Sequence, residues 1–158
     1  MTQNVLVVDD DPVMVSLLRH VLTKAGYVCI TASHVDEARR LAARQRPHAA
    51  IVDVALGSES GLDLVRLWRV VDAFPVILLS SLGEPIDRII GLEVGAYDYV
   101  VKPFEPRELL LRLKIALDRK ALRMPRYEDM PRWSLGWHLP RIMQWLTASG
   151  FLRLINSR

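Results

Sequence analysis

Four places along the chain carry side chains able to do chemistry together: the run Asp9-Asp10-Asp11, the isolated Asp53, the pair Ser80-Ser81, and Lys102. Clustered carboxylates repel one another unless a cation neutralises them, and hard oxygen donors suit Mg2+. A lysine beside such a cluster offers a point charge to phosphate oxygens, and a serine hydroxyl offers a hydrogen bond. An aspartate can also take a phosphoryl group covalently. The chemistry open to this set is metal-assisted phosphoryl transfer to a carboxylate. Other candidates fall away: His20, His34, His48 and His138 lack metal-ligand spacing, and Cys29 sits in an apolar run where it reads as a small core hydrophobe.

The acidic, hydroxyl and amine groups are far apart in sequence, so a fold must bring them together. Residues 4–8, 27–31, 49–52, 75–79 and 97–101 are short apolar runs of the kind that form buried parallel strands. Between them lie helical patterns. From Pro12, an N1-type proline, apolar residues recur at Met14, Leu17, Leu18, Val21 and Leu22 until Gly26. Ser33 is expected to cap a helix over 33–44, with Asp36 in the capping-box place; further helices are predicted over 61–71, 85–94 and 106–122. Five strand-then-helix units with short connections predict an α/β fold, a doubly wound parallel sheet. In such sheets ligands bind beyond the carboxyl ends of the strands, where Asp9, Asp10, Asp53, Ser80 and Lys102 all fall. Asp9, Asp10 and Asp53 converge if the first and third strands are neighbours.

Composition agrees with a globular protein. The chain has 158 residues, 51% hydrophobic and 25% charged, enough for one full domain and a remainder. One cysteine excludes a disulfide scaffold and suits a reducing cytoplasm. No apolar run approaches the roughly 20 residues of a membrane span, and the acidic start does not resemble a secretory leader. Charge divides the chain: residues 1–122 hold 15 Lys+Arg against 16 Asp+Glu, whereas residues 123–158 hold 6 Arg against 2 acids and three of the four Trp.

The segments VLVVDDD (5–11), AAIVDVAL (49–56), PVILLSS (75–81) and GAYDYVVKPF (95–104) resemble the receiver domain of bacterial two-component response regulators over roughly residues 3–122. The resemblance implies a flavodoxin-like (βα)5 sheet of strand order 2-1-3-4-5. It implies Asp53 as phosphoacceptor, and Mg2+ held by Asp9, Asp10, Asp53 and the backbone carbonyl of Ala55. Ser80 becomes the switch hydroxyl and Tyr99 an aromatic that swings inward. Lys102, before a cis-type Pro103, becomes the phosphate-binding lysine. The donor would be a sensor histidine kinase. Residues 87–117 resemble the winged-helix (OmpR/PhoB-like) regulators, which form homodimers through the fourth helix, fifth strand and fifth helix. The charges used there between subunits match Arg88 with Glu108 and Asp98 with Arg112; the same charges also fit a solvated helix face. Two positions depart from the family pattern: Leu56-Gly57 stands where Leu-Pro is usual, and Ser81 where a small alanine is usual.

A winged-helix effector needs on the order of 100 residues to bury a core, and only 36 follow residue 122. Residues 123–158 are therefore expected to be a short basic, Trp-rich tail, either an effector remnant or a module that contacts DNA or polymerase. An enzymatic alternative also exists, because Asp9-x-Asp11 after a first strand resembles the nucleophile motif of haloacid-dehalogenase-type phosphatases. That alternative lacks a later acidic pair.

Overall fold

The computed structural model describes residues 2–70, 74–81, 89 and 92–121. Five parallel strands form one sheet: β1 (Asn4–Val8), β2 (Val28–Ala32), β3 (Ala49–Asp53), β6 (Val76–Ser80) and β7 (Asp98–Val101), in the order β2-β1-β3-β6-β7. Two further two-residue strands, β4 (Ala55–Leu56) and β5 (Glu59–Ser60), make a small antiparallel hairpin directly after β3. With the hairpin set aside, the sheet order is the expected 2-1-3-4-5.

The sheet is covered on both faces, which is why its strands carry so few polar residues. Successive strand residues point to opposite sides. Val5, Val7, Ile51, Ile77 and Leu79 therefore pack with Leu18 and Leu22 of α1 (Pro12–Lys24) and with Leu109 and Leu113 of α4 (Pro106–Ala121). Leu6, Val8, Val52 and Leu78 pack on the other side with Ala38 of α2 (Val35–Gln45) and with Leu64 and Trp68 of α3 (Gly61–Val70). Each fully buried Leu or Ile contributes about 2 kcal/mol in removed apolar surface, so these two layers supply most of what orders the strand ends.

Helix starts follow local chemistry. The Asp11 carboxylate caps α1 by accepting from Val13 N at 2.9 Å, and Pro12 takes the first helical position, where its missing N–H costs nothing. At α2 the expectation needs correcting. The cap is His34, not Ser33, and Glu37 rather than Asp36 reaches back, accepting from Ser33 N at 2.9 Å. The helix begins one residue later than the pattern suggested; Glu37 stands at the third helical position, but its carboxylate holds the amide before the cap rather than that of the cap, and His34 makes no side-chain cap bond. The expected helix 85–94 lies largely outside the described residues, although Ile89, Leu92 and Glu93 are helical. The expected tail, 123–158, lies outside them altogether. Among the described residues no helix is long and apolar enough to cross a membrane.

Candidate functional site

Strand register gathers the polar residues. Val8 lies opposite Val52, so Asp9 emerges beside Asp53; Ser80 lies opposite Val101, so Lys102 emerges beside Ser80, and Lys102 N donates to Ser80 O at 2.7 Å. The Lys102 ammonium then reaches across β6 to both acidic strands. Nζ donates to Asp9 Oδ2 at 2.9 Å and to Asp53 Oδ2 at 2.8 Å. Asp9 is 1% exposed and Asp53 8%, while Asp10 is exposed at the rim. One carboxylate oxygen from each of Asp9, Asp10 and Asp53 lies within 4.8 Å of the others, a set of hard donors spaced to share one small divalent cation.

Burial and charge act against each other here. Desolvation raises the Asp9 pKa above its ordinary value, against the lowering effect of the hydrogen bonds it accepts from Asp11 N at 2.9 Å and from Lys102. Desolvation alone would lower the Lys102 pKa; hydrogen bonds to Asp53 and Asp9 outweigh it, and the ammonium is held above its ordinary range. The site therefore keeps its cation firmly, yet has a surplus of negative charge: three carboxylates face one lysine.

The structure places the other predicted residues as follows. Ala55 is exposed at the start of β4, and its N donates to Asp53 Oδ1 at 3.4 Å. Ser80 is buried at the end of β6, and Ser81 beyond it is exposed. Tyr99 is 4% exposed and belongs to the core layer on the α2/α3 side, so its ring already lies inside. The Lys102–Pro103 peptide is cis. Arg88 lies outside the described residues. Arg112 pairs within its own chain, with Nη1 at 2.6 Å from Asp98 Oδ2 and Nη2 at 2.7 Å from Glu108 Oε1.

Two residues on the segment that follows Asp53 were not singled out from the sequence. Gly61 opens α3 hard against the acceptor strand, and a Cβ there would meet the Asp53 carbonyl oxygen at 2.0 Å. Glu59, at the hairpin's outer strand, accepts from Val35 N of α2 at 3.1 Å. Gly61, eight residues after Asp53 at the start of a helical pattern, was the available signal for the first; the second depends on a hairpin too short to leave a periodic pattern.

Residues 5–114 match the family described as response regulator receiver domain. The alkaline phosphatase synthesis transcriptional regulatory protein PhoP of Bacillus subtilis is 38% identical over 129 residues, 81% of this chain and 54% of that protein. The probable transcriptional regulator ycf27 of Porphyra purpurea is 41% identical over 117 residues, 74% of this chain and 48% of that protein. The chain thus spans about half the length of the curated relatives it matches. Among solved structures, the BeF3-activated N-terminal receiver domain of Klebsiella pneumoniae RstA superposes with a TM-score of 0.69 at 32% identity, covering 72% of this chain and 97% of that one. A response regulator from Thermotoga maritima gives a TM-score of 0.68 at 32% identity, covering 75% and 99%. These matches correct the phosphatase alternative, because the relatives are signalling proteins; Asp11, which that alternative required, spends its carboxylate on the α1 cap.

Proposed function

The chain belongs to the response regulator receiver domain family, and from that membership we propose that Asp53 is its phosphoacceptor, served by Mg2+ on Asp9, Asp10, Asp53 and the Ala55 carbonyl. A receiver is a signalling module rather than an enzyme. The observation that carries the assignment is the Lys102 ammonium held between buried Asp9 and Asp53 at 2.9 and 2.8 Å. A lysine in that position leaves Asp53 Oδ1 with no cationic partner among the described residues, accepting from Ala55 N on the hairpin side at 3.4 Å.

The donor in this reading is a phosphohistidine of a cognate sensor kinase. An Asp53 oxygen attacks phosphorus, the O–P bond forms as the P–N bond breaks, and the released imidazole takes up a proton. Bound Mg2+ supplies charge neutralisation for the incoming phosphoryl oxygens. Lys102 already touches Asp53 and follows the added charge, and the Ser80 hydroxyl at the adjoining strand end gives a hydrogen bond. Because Lys102 and Ser80 sit on the ends of β7 and β6, their movement shifts the population of the face formed by residues 85–117.

That face is the proposed homodimer surface, with Arg88, Asp98, Glu108 and Arg112 as its charges. The pairs Arg112 now makes within one chain would be exchanged for pairs across the interface. Cytoplasmic location and a transcriptional output follow from the same reading, supported by relatives named as transcriptional regulators. The basic residues 123–158 would meet nucleic acid, recognisable as DNA retention that falls steeply with salt. The acceptor assignment is tested with a small radiolabelled phosphodonor and Mg2+: wild type takes label and Asp53→Asn takes none. Equal labelling of the two proteins sinks it.

A further inference from the structure

The hairpin that follows Asp53 is held in an unusual way. β4 and β5 pair over only two residues each, Ala55 with Ser60 and Leu56 with Glu59, around a Gly57-Ser58 turn. Gly57 has φ +59°, which a proline cannot adopt, so the residue pair usual in this family could not close this turn. The tip lies against the acidic cluster, since a Cβ on Gly57 would stand 3.6 Å from Asp10 Oδ2. Two-stranded ladders are marginal in water, and this one is shorter than most. Leu56, 3% exposed in the core, roots the inner strand, whereas the outer strand buries neither of its residues. Glu59 anchors that outer strand: its Oε2 accepts from Val35 N at 3.1 Å, the first amide of α2. That amide has no partner within its helix, and the positive end of the helix favours a carboxylate.

We infer that Glu59 is a positioning residue for the cation and acceptor cluster, acting by tying the hairpin to the N-terminus of α2. The inference rests on the reading of Asp9, Asp10 and Asp53 as the cation site. The hairpin carries Ala55, whose carbonyl is the fourth ligand in that reading, and Gly57, which borders Asp10. Glycine at 57 places no restraint of its own on the turn, so the Glu59 tether is what limits movement of the hairpin's outer strand. Coupling of this kind is reciprocal. Cation binding at the cluster must therefore tighten the Glu59–Val35 hydrogen bond and slow hydrogen exchange at the start of α2, at a distance from any cation ligand.

The test uses the full chain as wild type, Glu59→Ala and Glu59→Gln, with MgCl2 titrated by calorimetry and amide exchange followed with and without saturating Mg2+. Loss of one such hydrogen bond predicts Mg2+ binding weakened about three- to tenfold in Glu59→Ala. Glu59→Gln keeps an acceptor oxygen and should stay within about twofold of wild type by the same reasoning. In wild type, Mg2+ should slow exchange at Val35; in Glu59→Ala it should not. Equal Mg2+ affinity in wild type and Glu59→Ala overturns the tether alone. Absence of Mg2+ binding by wild type overturns the cation site and the inference with it. Melting curves of all three proteins separate a folding defect from a change in binding, since losing one hydrogen bond of exposed Glu59 should lower the melting temperature by only a few degrees.

Discussion

Replacing Lys102 with Met removes the only cation that touches both buried carboxylates among the described residues, while keeping most of the side-chain volume. The ammonium stands 2.9 Å from Asp9 and 2.8 Å from Asp53, with the three side chains 14%, 1% and 11% exposed. At an effective dielectric of about 20, each contact has a gross attraction of about 6 kcal/mol, most of it offset by desolvating the partners. Removing one member of a buried ionic set costs about 3–5 kcal/mol, because the remaining charges stay buried and unpaired. The cluster opens to water at exposed Asp10, so the lower end, about 3 kcal/mol, is expected. Urea unfolding in EDTA, followed by far-UV circular dichroism, measures the difference. Mg2+ should narrow it by about 1 kcal/mol or more, since a cation on the vacated carboxylates substitutes for the lost ammonium. The pH dependence has a definite sign. Lys102 has a raised pKa, so its contribution is fully present below the unfolded value of 10.5 and lost as pH rises through the folded value. Asp9 also has a raised pKa, so its charged form is penalised in the fold, and the penalty eases as pH falls through the folded value toward 3.8. The gap between the two proteins should thus be widest near neutrality and narrow towards both acid and alkali. A metal-free difference below about 0.5 kcal/mol, the range of an ordinary surface substitution, would refute the reasoning. So would a larger difference that Mg2+ leaves unchanged.

Two further substitutions and one chemical modification test separate parts of the structure. Arg46 ends α2 in the left-handed region at φ 43°, so Arg46→Gly should raise stability by about 0.5–1 kcal/mol in urea or thermal unfolding, with no change in Mg2+ binding. Gly61→Ala should lower stability by more than about 2 kcal/mol, because the added methyl would lie 2.0 Å from the Asp53 carbonyl oxygen and the backbone must shift; a folded variant should also label poorly with a phosphodonor. Burial pushes the Cys29 thiol above its ordinary value of 9.0, so alkylation at pH 8 should be much slower in the native protein than in urea; equal rates would contradict the burial.

Much of the architecture can be read from the chain alone because it rests on local rules. Apolar runs too short for helices, four of the five closed by a polar residue and each followed by helical spacing, specify parallel strands covered on both faces. Pro12 and Gly26 mark the limits of α1 for reasons of backbone geometry that hold in any fold. Composition also fixes which atoms are available: carboxylates at 9, 10 and 53, a hydroxyl at 80 and an amine at 102. What the sequence could not settle depends on register and reach. Whether Ser33 or His34 caps α2 turns on a one-residue shift, which sets the Glu37 carboxylate on the Ser33 amide just before the cap. The Glu59–Val35 hydrogen bond joins residues 24 apart, through a hairpin of two pairs that no periodicity reveals. The intrachain partners of Arg112, and the closeness of Gly61 to the Asp53 carbonyl, likewise exist only once helices are docked on the sheet. Residue type and spacing determine which groups stand at the strand ends. Only the tertiary structure decides which of them touch, because ångström-scale contact depends on packing between elements that are distant along the chain.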